Sequence, residues 1–490
     1  MIFLPYTTMN TIKPRPSEML RTLLITALLA LSAHAAALDF GRIRTDEVAV
    51  YAQNLASGEV IAAHRADAAV NPASTMKLVT TFAALRALGD DYRWLTEWKS
   101  DAAVRNGVLE GDIYWVGSGN PVLDQNDLLD MQSQLRTQGI RNISGQLVLD
   151  RSVWQSTGSA DDFDDDAGET FATAPDPQML AYKVVWAKPE RNALGNPEIS
   201  LNPPLPGIPL QNRSTITAGT TACRSLKPYL QARYQNGTLW FDGQIPASCL
   251  GQEIFINMLD PTAFAGKSFI NHWRAAGGGI ADGWRTGRAP RHATTVAANQ
   301  SKPLAAVLAD MNKHSNNIIA RSLFLTLGST AGNPSTARRA EAEVRRQLVQ
   351  AGIDDEALVL ENGSGLSRRE RLTARMLGQI LANAWHSPFQ TAFTDSLPVA
   401  GHDGTLKNRF KHIGRPLHLK TGTLKNVRAL AGYWLPQTAT QPPLALVVII
   451  NSDRSPDYLP DLDKLLTDLL QAAGVYGATA HLSARPSETH

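Results

Sequence analysis

The chain has 490 residues, a length that suits two to four domains rather than one. Hydrophobic residues make up 43% and charged residues 19%, a globular mixture that excludes an intrinsically disordered chain. A formal net charge of +2 excludes both the strongly basic surface of a nucleic-acid binder and a strongly anionic one.

Residues 1–37 stand apart from the rest. Lys13, Arg15 and Arg21 form a basic lead, Leu23 to Leu31 is an apolar run, and Ala33-His34-Ala35 and Ala35-Ala36-Ala37 are small-residue cleavage patterns. This is the pattern of a secretory signal peptide, with Met9 or Met19 as alternative starts. A membrane anchor is the competing reading, but a span needs about 20 apolar residues and this run is near half that. Peripheral association with a membrane stays open. In an oxidising compartment Cys223 and Cys249, the only two cysteines, are expected to pair across a loop of about 25 residues, contributing about 3 kcal/mol. Two buried thiols are the alternative. No CxxC or HExxH occurs and the 11 histidines are scattered, so no metal and no organic cofactor are expected.

After the leader, Val48-Ala-Val-Tyr51 and Val60-Ile-Ala flank a Ser-Gly turn and read as a β-hairpin. Asn71-Pro-Ala leads to Ser74. From there to Leu88 the residues Met76, Val79, Phe82, Ala83 and Leu85 keep a helical period, and Gly89 is a stop. Ser74 is thus expected in the first helical turn, where free N–H groups favour negative charge. From about 95 to 290 short β-like runs alternate with Pro- and Gly-rich turns, interrupted by one helix at about Asn126 to Gln138. This reads as one or two small, mainly β domains inserted into a larger one. Helices are expected at Pro303 to Met311, Ser315 to Leu327 and Thr373 to Trp385. Leu417 to Gly422, Ala429 to Trp434 and Leu444 to Ile450 read as adjacent antiparallel strands, and a last helix, Pro460 to Ala473, as packing back on them.

Three short motifs stand in order: Ser74-Thr-Met-Lys77, Ser315-Asn-Asn317 and Lys420-Thr-Gly422. Each is weak alone. Together, each on a suitable element, they are the signature set of penicillin-binding proteins and serine β-lactamases. The residue types fit acyl transfer. One helical turn puts Ser74 and Lys77 on the same face, a nucleophile with its own base if neighbouring positive charge, for which Lys420 is the candidate, keeps Lys77 neutral. Ser315 can relay a proton to the leaving amine, and Asn317 can hold both the lysine and the substrate amide. Lys420, Thr421 and Thr423 suit a terminal carboxylate, and Gly422 clears a side chain from where substrate backbone would lie. The backbone N–H groups of Ser74 and Thr423 would form an oxyanion hole, worth about 3 kcal/mol per donor.

The gap from Lys77 to Ser315 far exceeds one helical subdomain. With it, the sequence resembles the class C low-molecular-mass penicillin-binding proteins, the D-alanyl-D-alanine carboxypeptidase/endopeptidases of peptidase family S13. The resemblance also rests on Pro72-Ala-Ser-Thr, Ile140 to Asp150, Asn362-Gly-Ser-Gly-Leu-Ser-Arg368, Leu397 to Gly401 with Asp403-Gly-Thr405, and Val427 to Gly432. It implies an α/β (α+β) fold: a β-lactamase/transpeptidase-like domain, an antiparallel sheet with helices, over residues 38–92 and 290–478. One mainly-β inserted domain would span 93–187 with 265–289 and a second 188–264, leaving 479–490 as a tail. It implies a periplasmic enzyme that cleaves peptidoglycan stem peptides and cross-links through an acyl-serine and is acylated by β-lactams. It also implies that an acid and an aromatic of the inserted segment, here Asp166 and Phe171, and the arginine of the Gly-Ser-Gly-Leu-Ser-Arg stretch, Arg368, read the two ends of diaminopimelate. A solvated acidic loop at 161–166 and a structural role for Arg368 are the competing readings. Two departures are the Asn at 316, where many relatives carry Asp, and His314, where relatives often carry lysine.

Three look-alikes are set aside. Arg285-Thr-Gly287 precedes the second motif and reads as a turn. Glu198-Ile-Ser-Leu-Asn202 matches a class A β-lactamase pattern but precedes both later motifs. Gly117-Ser-Gly119 is a lone turn. A serine β-lactamase and a non-enzymatic wall-binding protein are the rival functions.

Overall fold

The structure, a computed structural model, describes residues 38–155, 172–219, 222–256, 259–281, 283–329 and 336–477. The first elements are β1 (Val48–Asn54), β2 (Val60–His64) and α1 (Lys77–Leu88). There follow β3 (Leu95–Ser100), β4 (Ile113–Val116), α2 (Gln125–Thr137), β5 (Leu147–Asp150), β6 (Val185–Arg191), β7 (Pro197–Asn202), β8 (Ile254–Ile256), α3 (Pro261–Ala275), β9 (Trp284–Thr286) and β10 (Thr294–Gln300). The chain then forms α4 (Leu304–Lys313), α5 (Asn317–Leu327), α6 (Ala337–Gln350), α7 (Ala374–Trp385), β11 (Leu417–Leu424), β12 (Val427–Trp434), β13 (Leu444–Asn451) and α8 (Leu459–Ala472).

One antiparallel sheet, in the order β11-β12-β13-β1-β2, joins the two ends of the chain. The run Leu444 to Ile450 is apolar throughout because both faces of β13 are covered. Ala445, Val447 and Ile449 face a core shared with α1, α4, α5, α6 and α7. Leu444, Leu446, Val448 and Ile450 face the opposite core, where α8 contributes Leu462, Leu465, Leu466 and Leu469. Strand alternation thus fixes the register: a slip of one residue would exchange the two sets.

Between α1 and α4 the chain builds a separate core around Trp98, Trp115, Phe241, Phe264 and Trp273. A second five-stranded sheet, β9-β5-β4-β3-β10, is mixed, with β9–β5 and β5–β4 parallel. Arg285-Thr-Gly287, expected as a turn, is largely strand β9, paired to Leu147–Leu149. Beside it lie the antiparallel sheet β7-β6-β8 and a sheet made by Leu210–Asn212, Thr238–Asp242 and Gln231–Gln235. Cys223 and Cys249 are disulfide-bonded.

Three helices go beyond the sequence expectation: α3, α6 and a short one at Gln390–Asp395. In α3 the Asp260 side chain caps the first turn by accepting from the Ala263 N–H, and Pro261 occupies the start, where its missing N–H costs nothing. In α6 the apolar positions Ala340, Val344 and Leu348 are buried at four-residue spacing, but intervening Arg and Glu mask them in the sequence. Among the described residues no helix is long and apolar enough to cross a membrane.

Candidate active site

Ser74 does not lie in the α-helix proper. A 3₁₀ turn, Ala73–Met76, carries it, and α1 begins at Lys77. Ala73 has φ +46°, a left-handed conformation that costs an L-residue about 1–2 kcal/mol. Its surroundings impose it. The Ala73 N–H donates to Asn71 Oδ1 at 2.9 Å, and Asn71 Nδ2 donates to the Arg368 carbonyl at 3.0 Å. Asn71 N–H donates to Asn451 Oδ1 at 2.7 Å, and Asn451 Nδ2 returns a bond to the Asn71 carbonyl at 2.9 Å. Gly365, at φ +80°, lies so close that a Cβ there would fall 1.8 Å from the Ala73 carbonyl oxygen. The turn is therefore clamped by the end of β13 and by the Gly-Ser-Gly-Leu-Ser-Arg loop.

Lys77 is fully buried. Its Nζ lies 3.2 Å from Ser74 Oγ, 2.6 Å from Asn317 Oδ1 and 2.5 Å from the Ser364 carbonyl oxygen. Burial pushes its ammonium well below the ordinary lysine range; the nearby Lys420 charge adds to this and Glu370 opposes it. Desolvation is therefore the larger cause, ahead of the neighbouring cation expected from the sequence. Glu370 sits beneath the same loop, with one carboxyl oxygen accepting from the N–H groups of Glu361, Asn362 and Gly363. Burial raises this carboxyl, against the pull of those N–H groups.

Lys420, also fully buried, donates to Ser315 Oγ at 2.9 Å and to the Thr421 carbonyl at 2.8 Å. Burial lowers its pKa to about 7. Ser315 has φ +56°. Asn316 caps α5, its side chain accepting from the Ile319 N–H at 3.0 Å. An aspartate would cap equally well, which gives the Asn/Asp departure a structural reason.

β11 is an edge strand. The Leu419 N–H donates to the Pro398 carbonyl and the Ala400 N–H to the Leu417 carbonyl, so residues 417 and 419 direct their backbone groups outward. The two-residue period aims Thr421 and Thr423 the same way, beyond the covering segment. Thr421 Oγ1 donates to Thr405 Oγ1 at 2.9 Å, and the 397–405 segment is fixed by an ion pair of 2.6 Å between Lys313 and Asp403. Gly422 has a reason inside the protein: a Cβ there would sit 2.8 Å from the Pro72 carbonyl oxygen and 3.2 Å from Ala73 Cβ. The glycine lets the strand lie against the turn that holds Ser74, a different explanation from room for substrate backbone.

The structure thus joins Ser74, Lys77 and Asn317 in one contact set and Ser315 and Lys420 in another. Arg368 is half-buried, with its Nη1 donating to the Leu366 carbonyl at 2.9 Å. Asp166 and Phe171 lie outside the described residues. Ala172 is fully buried against Leu366. Glu198 is exposed on β7, opposite Glu190, and takes no part in these contacts. Among the described residues no group of three His, Cys, Asp or Glu side chains is arranged to hold a metal ion. Sequence reasoning missed Asn71, Ser364, Glu370 and Asn451. Ser364 acts through a carbonyl, which leaves no side-chain signal, and Glu370 stands among arginines and reads as surface.

The profile of the D-Ala-D-Ala carboxypeptidase 3 (S13) family matches residues 29–470. The chain is 29% identical over 449 residues to a D-alanyl-D-alanine carboxypeptidase of Actinomadura sp. (strain R39), covering 86% of this chain and 80% of that one. It is 26% identical over 395 residues to D-alanyl-D-alanine carboxypeptidase DacB of Haemophilus influenzae, covering 79% and 82%. The crystal structure of penicillin binding protein 4 from Haemophilus influenzae superposes with a TM-score of 0.70 at 25% identity, over 86% of this chain and 95% of that one. With matched sequence running from before β1 to within α8, the chain belongs to the D-Ala-D-Ala carboxypeptidase 3 (S13) family.

Proposed function

We propose that this protein is an exported serine-type D-Ala-D-Ala carboxypeptidase and DD-endopeptidase that acts on peptidoglycan stem peptides and cross-links in the periplasm, after loss of a signal peptide. The reading rests first on the surroundings of Lys77 Nζ. Two of its three neighbours, the Ser364 carbonyl and Asn317 Oδ1, can only accept. A neutral amine spends its two N–H groups on them and turns its lone pair to the Ser74 hydroxyl. Family membership supplies the substrate class.

In the proposed reaction Ser74 Oγ attacks the carbonyl carbon of the D-Ala–D-Ala bond and its proton passes to Lys77. The N–H groups of Ser74 and Thr423 hold the oxyanion. Breakdown of the tetrahedral adduct breaks the C–N bond, and the departing amine takes a proton through Ser315, which is bonded to Lys420. Lys420, Thr421 and Thr423 hold the terminal carboxylate. Water then cleaves the acyl-serine and restores the hydroxyl. β-Lactams acylate the same serine, in keeping with the penicillin-binding name of the Haemophilus structure. Asp166, Phe171 and Arg368 read diaminopimelate in this proposal, supported by the burial of Ala172, one residue beyond Phe171, on the loop that carries Arg368. Residues 38–92 with 290–478 form the catalytic domain, and 93–187 with 265–289 and 188–264 form two inserted ones.

Ser74→Ala is expected to lose labelling by a fluorescent penicillin and all release of D-alanine from muropeptides, while still binding them. The label on the native enzyme is expected to persist for hours. D-alanine release by Ser74→Ala, or rapid penicillin turnover by the native enzyme, would overturn the assignment.

A further inference from the structure

A cleft of about 510 Å³ opens beside the Ser315–Asn317 turn. Its opposite wall is the outer face of the sheet β7-β6-β8. Asn202, Trp186 and Phe255 are directly paired across the three strands and form one row. Their neighbours Val185, Ala187, Ile254 and Ile256 point inward and are buried in the core. Alternation therefore places Trp186 and Phe255 on the side away from that core, where their rings meet at a tilt of 40° with centroids 3.5 Å apart. Phe255 remains 45% exposed. A cross-strand aromatic pair adds only modestly to a sheet's stability, little reason to expose so much apolar surface beside an active site.

Tyr182 adds a third ring to the lining, and its backbone is strained. Ala181, Tyr182 and Lys183 have φ of 46°, 52° and 49° in succession. Each such residue is costly and persists only where its surroundings over-determine it. Lys183 turns its ammonium away, onto the Leu259 carbonyl at 2.6 Å. Among the described residues lining the cleft there is no lysine or arginine. Asp124 caps α2, its Oδ1 accepting from the Asn126 and Asp127 N–H groups.

This chemistry suits a ligand with flat apolar faces, hydroxyl or amide edges and no net negative charge. A stem peptide, rich in carboxylates, would call for cations. We infer that the cleft is a saccharide subsite, which stacks an amino-sugar ring of the glycan strand on Trp186 and Phe255 while the attached stem peptide reaches Ser74. The inference rests on the peptidase reading above and adds recognition of the sugar to it.

The test compares kcat/KM for D-alanine release from a disaccharide-pentapeptide and from the same pentapeptide stripped of its sugars. The native enzyme is expected to prefer the glycosylated substrate by roughly tenfold, the size of one good aromatic contact. Phe255→Ser, at an exposed position, is expected to lower that ratio, and Trp186→Ala/Phe255→Ser to bring it to about 1. Acylation of Phe255→Ser by a fluorescent penicillin should stay at the native value, and its thermal unfolding midpoint should fall by no more than a few degrees. Equal rates on the two substrates in the native enzyme, or an unchanged ratio in Phe255→Ser and the double variant, would overturn the subsite alone. A native enzyme that neither takes up penicillin nor releases D-alanine from either substrate would overturn the peptidase reading, and the subsite with it.

Discussion

In the proposed mechanism two fully buried lysines, one hydrogen-bonded to Ser74 and the other to Ser315, have different tasks. Lys77 must be neutral to accept a proton, and rising pH favours that form. Lys420 must stay charged to hold a carboxylate, and rising pH removes that charge, burial having lowered its pKa to about 7. The second-order rate of penicillin acylation is therefore expected to trace a bell against pH, with its alkaline limb starting near neutrality. In Lys420→Arg, where the guanidinium keeps its charge, the alkaline limb should vanish even as the rate falls. A native profile that stays flat from pH 7 to about 10 would contradict this division. The contact between Ser74 and Lys77 was legible from their spacing, whereas Ser315, Asn317 and Lys420 stood out only as members of the three-motif set. What spacing does not carry is why the Lys77 ammonium is pushed well below the ordinary lysine range: the closed core that desolvates it and the Lys420 charge come from distant parts of the chain.

At the scale of elements, the turn at Ala73–Met76 is held by its neighbours rather than by its own helix. Gly365→Ala would bring a methyl group to 1.8 Å from the Ala73 carbonyl oxygen and push the turn off its position. Acylation is expected to drop by about a hundredfold or more, as displacements near 1 Å do, while far-ultraviolet circular dichroism remains native. Gly58→Ala is the comparison. It has a similar left-handed backbone, φ +78°, but nothing within 4 Å, so it should cost only about 1 kcal/mol of stability and leave acylation intact. The sequence foretells most elements because their apolar periods are clean: β1, β2, β11, β12, β13 and the helices at Leu304, Asn317, Ala374 and Leu459 all lie within a few residues of expectation. It foretells β9 and α3 poorly. β9 is a three-residue edge strand whose pairing depends on β5, and α3 begins with a proline in a turn-rich stretch.

For the whole molecule, the sheet with Lys420 and the sheets around Trp98 and Phe241 have separate hydrophobic cores. The disulfide belongs to the second, where Cys249 is buried. Replacing both cysteines by serine is expected to lower stability by about 3 kcal/mol. The loss should appear as an earlier thermal transition, with penicillin acylation at 25 °C unchanged. A fall in acylation at that temperature would show that the two cores are tightly coupled.

The strand order β11-β12-β13-β1-β2 has one more consequence, in the timing of synthesis. β1 enters the sheet only by pairing with β13, and Asn71 meets Asn451 across nearly the full length of the chain. A nascent chain ending before Asn451 thus lacks both the clamp on the Ser74 turn and the neighbour that β1 needs. Ser74, the nucleophile of the proposed mechanism, is thus made early and positioned last, once the chain has reached Asn451.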